Sequence, residues 1–161
     1  MSDGHSGKKF VASNRQARHD YDFEETYEAG LVLTGTEVKS IRAGRANLKD
    51  AFARVENGEV WLHNMHVPEY TQGNRYNVEP RRSRKLLLHR AEIARLFGKT
   101  QTKGLTLIPL DVFLQNGYAK ITLGLGRGKR EYEKRDAIAD REQKREIDRV
   151  IASRQRRTPR E

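Results

Sequence analysis

The 161-residue chain contains no cysteine, a single tryptophan and four prolines, and no apolar run in it approaches the roughly 20 residues that span a bilayer as a helix. The missing cysteines remove disulfides, thiolate nucleophiles and cysteine-ligated zinc, and fit a reducing cytoplasm. The opening MSDGHSGKKF lacks the apolar stretch of a secretory signal, so a cytoplasmic location is expected. No segment sets bulky apolar anchors opposite a basic face, so a membrane surface is not the expected partner.

Organised catalytic chemistry is equally scarce. In GLGRGKREYEKR, residues 124–135, the Walker pattern fails because Leu123 stands at the first glycine position and Arg130 at the hydroxyl position. The dinucleotide pattern fails at Lys129, which occupies the third glycine position. Alternating glycines at a strand end point instead to a bend or bulge. Asp20, Asp22 and Glu24 would line up on one strand face as a metal-dependent nuclease requires, or simply offset nearby bases on a solvated face. His63 and His66, three apart on a strand, point to opposite faces and spoil a shared metal site. No serine lies in a nucleophile elbow. The expectation is a protein with no catalytic residues, no metal and no cofactor.

What is abundant is positive charge. Lysine and arginine number 32 against 22 acids, a net charge of +10 that calls for a polyanionic partner, nucleic acid first. Residues 1–128 hold 20 bases and 14 acids, and residues 129–161 hold 12 and 8, so both parts can meet phosphate.

The pattern along the chain is mainly β. Residues 1–9 are small and polar and read as a disordered lead-in. In YDFEETYEAGLVLT, Tyr21, Phe23, Tyr27, Leu31 and Leu33 alternate with polar residues, predicting one long half-buried strand with its apolar side chains on a single face. TEVKSIRAG reads as a short helix with Thr36 as N-cap, aligning Lys39 and Arg42. Asn57-Gly58 and Asn116-Gly117 each predict a tight hairpin. In the last strand Ala119, Ile121, Leu123 and Leu125 face inward, with Tyr118, Lys120 and Thr122 outward. Pro109 marks an edge, bulge or corner. Between the hairpins, RKLLLH predicts a strand and AEIARLFG a short helix with Ile93, Leu96 and Phe97 on one face. Five or six short antiparallel strands with small helices predict a compact OB-like barrel over residues 10–128. After Gly128 the chain becomes a charged segment, 129–161, with opposite charges at helical spacing and few apolar residues, a flexible tail able to become helical on a partner.

The binding residues follow from this division. NRQARHDY interleaves Arg15 and Arg18 with Asn14, His19 and Tyr21: guanidinium groups suit phosphate, and an amide, an imidazole and a ring suit unpaired bases. A merely basic strand entry would look the same. PRRSRKLLLHR adds Arg81, Arg82, Arg84 and Lys85 beside an apolar strand. Glu28, a carboxylate among bases, can accept from base amino groups or a 2′-hydroxyl, or form a cross-strand ion pair.

Taken together, NRQARHDYDFEETYEAGLVLTGTEVKSIRAG, PRRSRKLLLH, KGLTLIPL and GRGKREYEKR resemble the SmpB family, the bacterial SsrA-binding proteins that partner transfer-messenger RNA in rescuing stalled ribosomes. The similarity runs in order over residues 10–145. It implies a non-enzymatic, monomeric adaptor with an OB-like barrel that grips the tRNA-like end of that RNA through Asn14, Arg15, Arg18, His19, Glu28, Leu87 and His89. Leu87 reads from pattern alone as core, so its implied role is to shape the surface. The resemblance further implies a tail that enters the decoding region and messenger channel of the ribosome through Gly128, Lys129, Arg130, Tyr132, Lys134 and Arg135. Elongation factor Tu would be an indirect partner through the aminoacylated RNA. Three positions depart from the family pattern: Gln16, Glu133 and Gln143. Two other functions fit the residues alone, a general OB-type RNA-binding protein or RNA chaperone and a metal-dependent nuclease.

Overall fold

The computed structural model describes residues 7–72 and 76–129, together with Arg145 and Arg149 farther on. The chain divides into two units, Met1–Gly128 and Lys129–Glu161, and the architecture below is that of the first.

Ten elements follow in order: β1 (Lys8–Ser13), α1 (Arg15–Asp20), β2 (Tyr21–Leu31), α2 (Gly35–Arg42), β3 (Phe52–Glu56), β4 (Glu59–His63), β5 (Arg84–Leu87), α3 (Arg90–Thr102), β6 (Thr106–Gln115) and β7 (Tyr118–Gly128). All strand pairings are antiparallel, and the order β6-β3-β4-β5-β2-β7 closes on itself through β6–β7, with β1 added along β6. The described residues thus form a six-stranded barrel with an appended strand, the OB-like architecture expected. Closure leaves few free edges. The barrel is filled by residues that alternate along the strands, among them Val60, Leu62, Leu86, Val112, Ile121, Leu123 and Leu125.

Both hairpins form at the asparagine-glycine pairs. Asn57 and Gly58 have φ of 50° and 76°, Asn116 and Gly117 of 52° and 80°, the two consecutive positive values that a two-residue loop matched to strand twist requires. β1 and α1 add to the predicted elements. β1 begins at Lys8, inside the segment expected as a disordered lead-in. α1 replaces the strand entry read in NRQARHDY.

β2 departs from the single apolar face predicted for it. Its register against β7 shifts between Phe23 and Glu25. The bulge turns Tyr21 and Phe23 to the outer face, where they pack with Ala17, Ile108 and Leu110, while Tyr27 and Leu31 join the barrel interior. This explains the alternating glycines of β7. A Cβ on Gly124 would lie 2.6 Å from the Phe23 ring, and one on Gly126 would lie 2.0 Å from the Asp22 carbonyl oxygen. The glycines are spaces into which the bulged strand fits. Both faces of β7 are therefore buried here, whereas the alternation alone predicts burial of one. β6 shifts register between Pro109 and Asp111, the bulge that its proline foretold.

α2 is capped by Thr34 rather than Thr36. The Thr34 hydroxyl accepts from the Glu37 N–H, and the Glu37 carboxylate accepts from the Thr34 N–H. α3 runs 13 residues, longer than its predicted core; Leu96 is buried, but Phe97 is exposed rather than packed.

Candidate nucleic-acid interface

α1 exists because Asn14 caps it and Ala17 seals it to the barrel. Asn14 Oδ1 accepts from the Ala17 N–H at 3.1 Å, and its Nδ2 donates to the Pro109 carbonyl at 3.1 Å. With its side chain buried and committed to these bonds, Asn14 orients the helix rather than reading bases, a correction to its expected role. Ala17 packs on Ile108 and Leu110. Arg18 donates to Asp111 Oδ2 at 2.7 Å, and Ser13 donates to the other oxygen of the same carboxylate at 2.9 Å. His19 is exposed, with Nδ1 3.0 Å from Asp20 Oδ1. Arg15 turns elsewhere. It lines a groove of about 970 Å³ with Gln16, Lys49, Phe52, Arg54 and Gln101.

The strand registers carry the surface onward from Arg18. Paired residues of antiparallel strands share a face, so Ser13, Asp111, Thr122 and Glu28 form one row across β1, β6, β7 and β2. The next row is Phe113, Lys120, Gly30 and Leu87, ending on β5. Gly30 is small where Leu87 crosses it, since a Cβ there would meet Leu87 Cβ at 3.3 Å. Lys8 reaches over from β1 to Glu28 at 2.6 Å. His89, two residues past Leu87, is exposed at the start of α3, where its N–H donates to Glu92 at 3.1 Å. Arg18, Glu28 and Leu87, spread over about 70 residues of sequence, thus share the outer side of the barrel with Lys120 and Lys8. The last two were not among the predicted binding residues. The outward position of Lys120 was legible in the alternation of β7; its row with Leu87 depends on two nonlocal registers.

β5 overturns two expectations at once. Arg84 is 0% exposed, so it is not available to phosphate. Its Nε donates to Glu37 at 2.6 Å, and its terminal nitrogens donate to the carbonyls of Met65 at 2.7 Å and Pro80 at 3.0 Å. Arg82 completes the cluster on the second Glu37 oxygen at 2.6 Å. Burial pushes the Glu37 carboxyl upward, but the bonds from Arg82, the Thr34 backbone and Arg84 outweigh it and hold the group below its ordinary value. Leu87, read as core, is 55% exposed. Lys85 lies on the outer face between them, 3.2 Å from Glu59.

α3 is fixed to β2 by another charged cluster. Glu25 accepts from Arg95 at 2.6 Å and from Lys99 and Tyr27 at 2.5 Å. The Lys99 bond, followed by those of Tyr27 and Arg95, lowers the Glu25 carboxyl to about 2. Burial, with Glu25 alongside, raises the Tyr27 hydroxyl. On α2, Lys39 lies over the Tyr70 ring at 5.5 Å and Arg42 is exposed.

The nuclease arrangement does not assemble as predicted. Asp20 ends α1, where it bonds Gln16, while Asp22 and Glu24 are exposed on β2. His63 is held between Ser83 and Glu56 at 2.8 and 2.9 Å. Among the described residues no three histidine or acidic side chains gather as a metal site, and no helix is long and apolar enough to cross a membrane. Of the tail residues, Gly128 ends β7 beside the Tyr21 ring and Lys129 follows it. Arg130, Tyr132, Lys134 and Arg135 lie outside the described residues.

Comparison with known proteins agrees with this fold. The family model described as SmpB protein matches residues 11–153. The SsrA-binding protein of Halalkalibacterium halodurans is 58% identical over 153 residues, covering 95% of this chain and 99% of its own. That of Thermobifida fusca is 63% identical over 148 residues, covering 92% of each. A solved structure concerned with tmRNA-SmpB and the center of the bacterial ribosome shares 52% identity at a TM-score of 0.64, covering 79% of this chain and 93% of its own. The chain belongs to the SmpB family.

Proposed function

We propose that the protein is an RNA-binding adaptor of ribosome rescue: its barrel binds the tRNA-like part of transfer-messenger RNA and brings it to stalled ribosomes, while residues 129–161 act in the decoding region and messenger channel. The reading rests on membership of a family whose relatives are SsrA-binding proteins and whose solved neighbour concerns tmRNA-SmpB and the ribosome. The observation in this chain that supports it best is the gathering of Arg18, Glu28, Leu87 and Lys120 on the outer side of one barrel. Arg18 and Lys120 suit phosphates, Glu28 suits a base amino group or a 2′-hydroxyl, and Leu87 gives an apolar surface for a sugar or base. Lys8 and Asp111 hold Glu28 and Arg18 in place, so less side-chain freedom is lost on binding. His19, Lys39, Arg42, Lys85 and His89, and Arg15 from the separate groove it lines, supply further contacts, and Gly128, Lys129, Arg130, Tyr132, Lys134 and Arg135 the ribosomal ones. The adaptor works in the cytoplasm and is not an enzyme; elongation factor Tu meets it through the shared aminoacylated RNA.

The test is binding to the isolated tRNA-like domain. Glu28→Arg and Arg18→Glu each weaken affinity by roughly tenfold or more, the scale of one lost charged contact. With about five phosphates neutralised, log affinity falls against log salt with a slope of about 3 to 4 in magnitude. A flat salt response would contradict the phosphate grip, and equal affinity for unrelated structured RNAs would favour a general RNA chaperone.

A further inference from the structure

The outer face does not stop at Lys120. One row farther toward the Asn116-Gly117 turn, Lys8, Gln115 and Tyr118 are paired across β1, β6 and β7. Phe10 pairs with Phe113 in the row before, and Phe113 pairs with Lys120. Alternate residues of a strand share a face, so Phe10, Lys8, Phe113, Lys120 and Tyr118 all lie on the side that carries Glu28 and Leu87. Two of these rings are open to solvent: Phe10 is 57% and Tyr118 73% exposed. The third, Phe113, is fully buried although it points outward. Phe10 lies across it with ring centroids 5.8 Å apart, and the Lys8 ammonium sits 4.8 Å above it. The buried ring is a floor that fixes an exposed ring and a cation.

Exposed apolar residues scattered singly need no explanation. Here two exposed rings share one face, are flanked by Lys8 and Lys120, and continue a surface already read as contacting RNA. From strand spacing and rise, Phe10 and Tyr118 stand about 12 Å apart, room for a few nucleotides between them. A ring beside an ammonium group holds an unpaired base while the cation meets the adjoining phosphate, here Lys120, since Lys8 is held by Glu28. We propose that Phe10 and Tyr118 are base-stacking residues that extend the RNA face to unpaired loop nucleotides. The inference rests on the adaptor reading above and names a part of its surface.

The experiment uses the full chain and the tRNA-like domain of transfer-messenger RNA, intact and with single unpaired loop nucleotides made abasic, which removes a base but keeps its phosphate. Phe10→Leu and Tyr118→Leu keep apolar bulk and remove the ring. Each weakens binding about 5- to 150-fold, the range for one lost base stack, while Tyr118→Phe stays within about twofold. An abasic substitution at the stacked nucleotide weakens the wild-type protein by a similar factor and leaves the corresponding leucine variant unchanged. Tight wild-type binding with both leucine variants within twofold, or an equal loss by those variants on every abasic RNA, would overturn the stacking assignment alone. A wild-type protein that binds the domain no better than a blunt duplex of equal length would overturn the adaptor reading beneath it.

Discussion

Arg84 separates two accounts of one basic residue. If it were a phosphate ligand, replacing it would weaken RNA binding and spare the fold; the structure places it in the interior, where the reverse holds. Its guanidinium satisfies Glu37 and the carbonyls of Met65 and Pro80, and so ties β5 to α2 and to the segment between β4 and β5. Arg84→Met fills much the same space but leaves Glu37 buried with Arg82 as its remaining cationic partner. Breaking a buried pair from one side costs about 3 to 5 kcal/mol, and Arg82 keeps the loss near the lower end, about 3 kcal/mol. For a domain of this size that lowers Tm by roughly 10 °C. The double variant Arg84→Met with Glu37→Gln recovers part of the loss, because the stranded charge is gone. Thermal melts followed by circular dichroism measure the stability, and RNA titration at a temperature where the variant is folded measures binding, with its salt slope unchanged. A variant as stable as the wild type, or one whose salt slope drops by about one unit, would refute the buried assignment.

Two further outcomes follow from the same structure. Gly126→Ala drives a Cβ to 2.0 Å from the Asp22 carbonyl and 2.8 Å from Phe23 Cα, a backbone clash that costs about 3 kcal/mol or more, whereas Gly128→Ala meets only the Tyr21 ring at 3.6 Å and leaves stability within about 0.5 kcal/mol; denaturant midpoints compare them. Glu37 has a folded-state value below its ordinary 4.5, so the stability it contributes is present above that pH and is lost as pH falls through it toward the lowered value. Urea unfolding at pH 7 and pH 3 therefore shows a smaller acid loss for Glu37→Gln than for the wild type, from a lower starting stability; parallel losses would assign the acid sensitivity elsewhere.

Local chemistry made the hairpins legible, because an asparagine-glycine pair announces its own backbone angles. The closure of β2 on β7 and β5 was not legible, since it joins segments far apart in sequence. The bulge at Phe23 hid for a related reason: a register shift leaves the alternation of apolar residues along the strand looking intact while it changes their face. In RKLL the alternation held the answer. It places Arg84 with buried Leu86 and Leu87 with Lys85, but the charge of one and the apolar character of the other argued against it. α1 had a cap signal in Asn14, outweighed by a polar sequence with Ala17 as its only buried contact. Of the proposed binding surface, the residue types were readable in Arg18 and Glu28, and their shared side of the barrel required the registers.

The proposed division of labour between the barrel and residues 129–161 is tested directly by removing that segment. In a reconstituted translation system with ribosomes stalled on a message lacking a stop codon, the shortened protein binds the tRNA-like domain within about threefold of the full chain, a difference below about 1 kcal/mol, and supports no peptide tagging. Loss of RNA affinity in step with tagging, or tagging retained without the segment, would contradict the account.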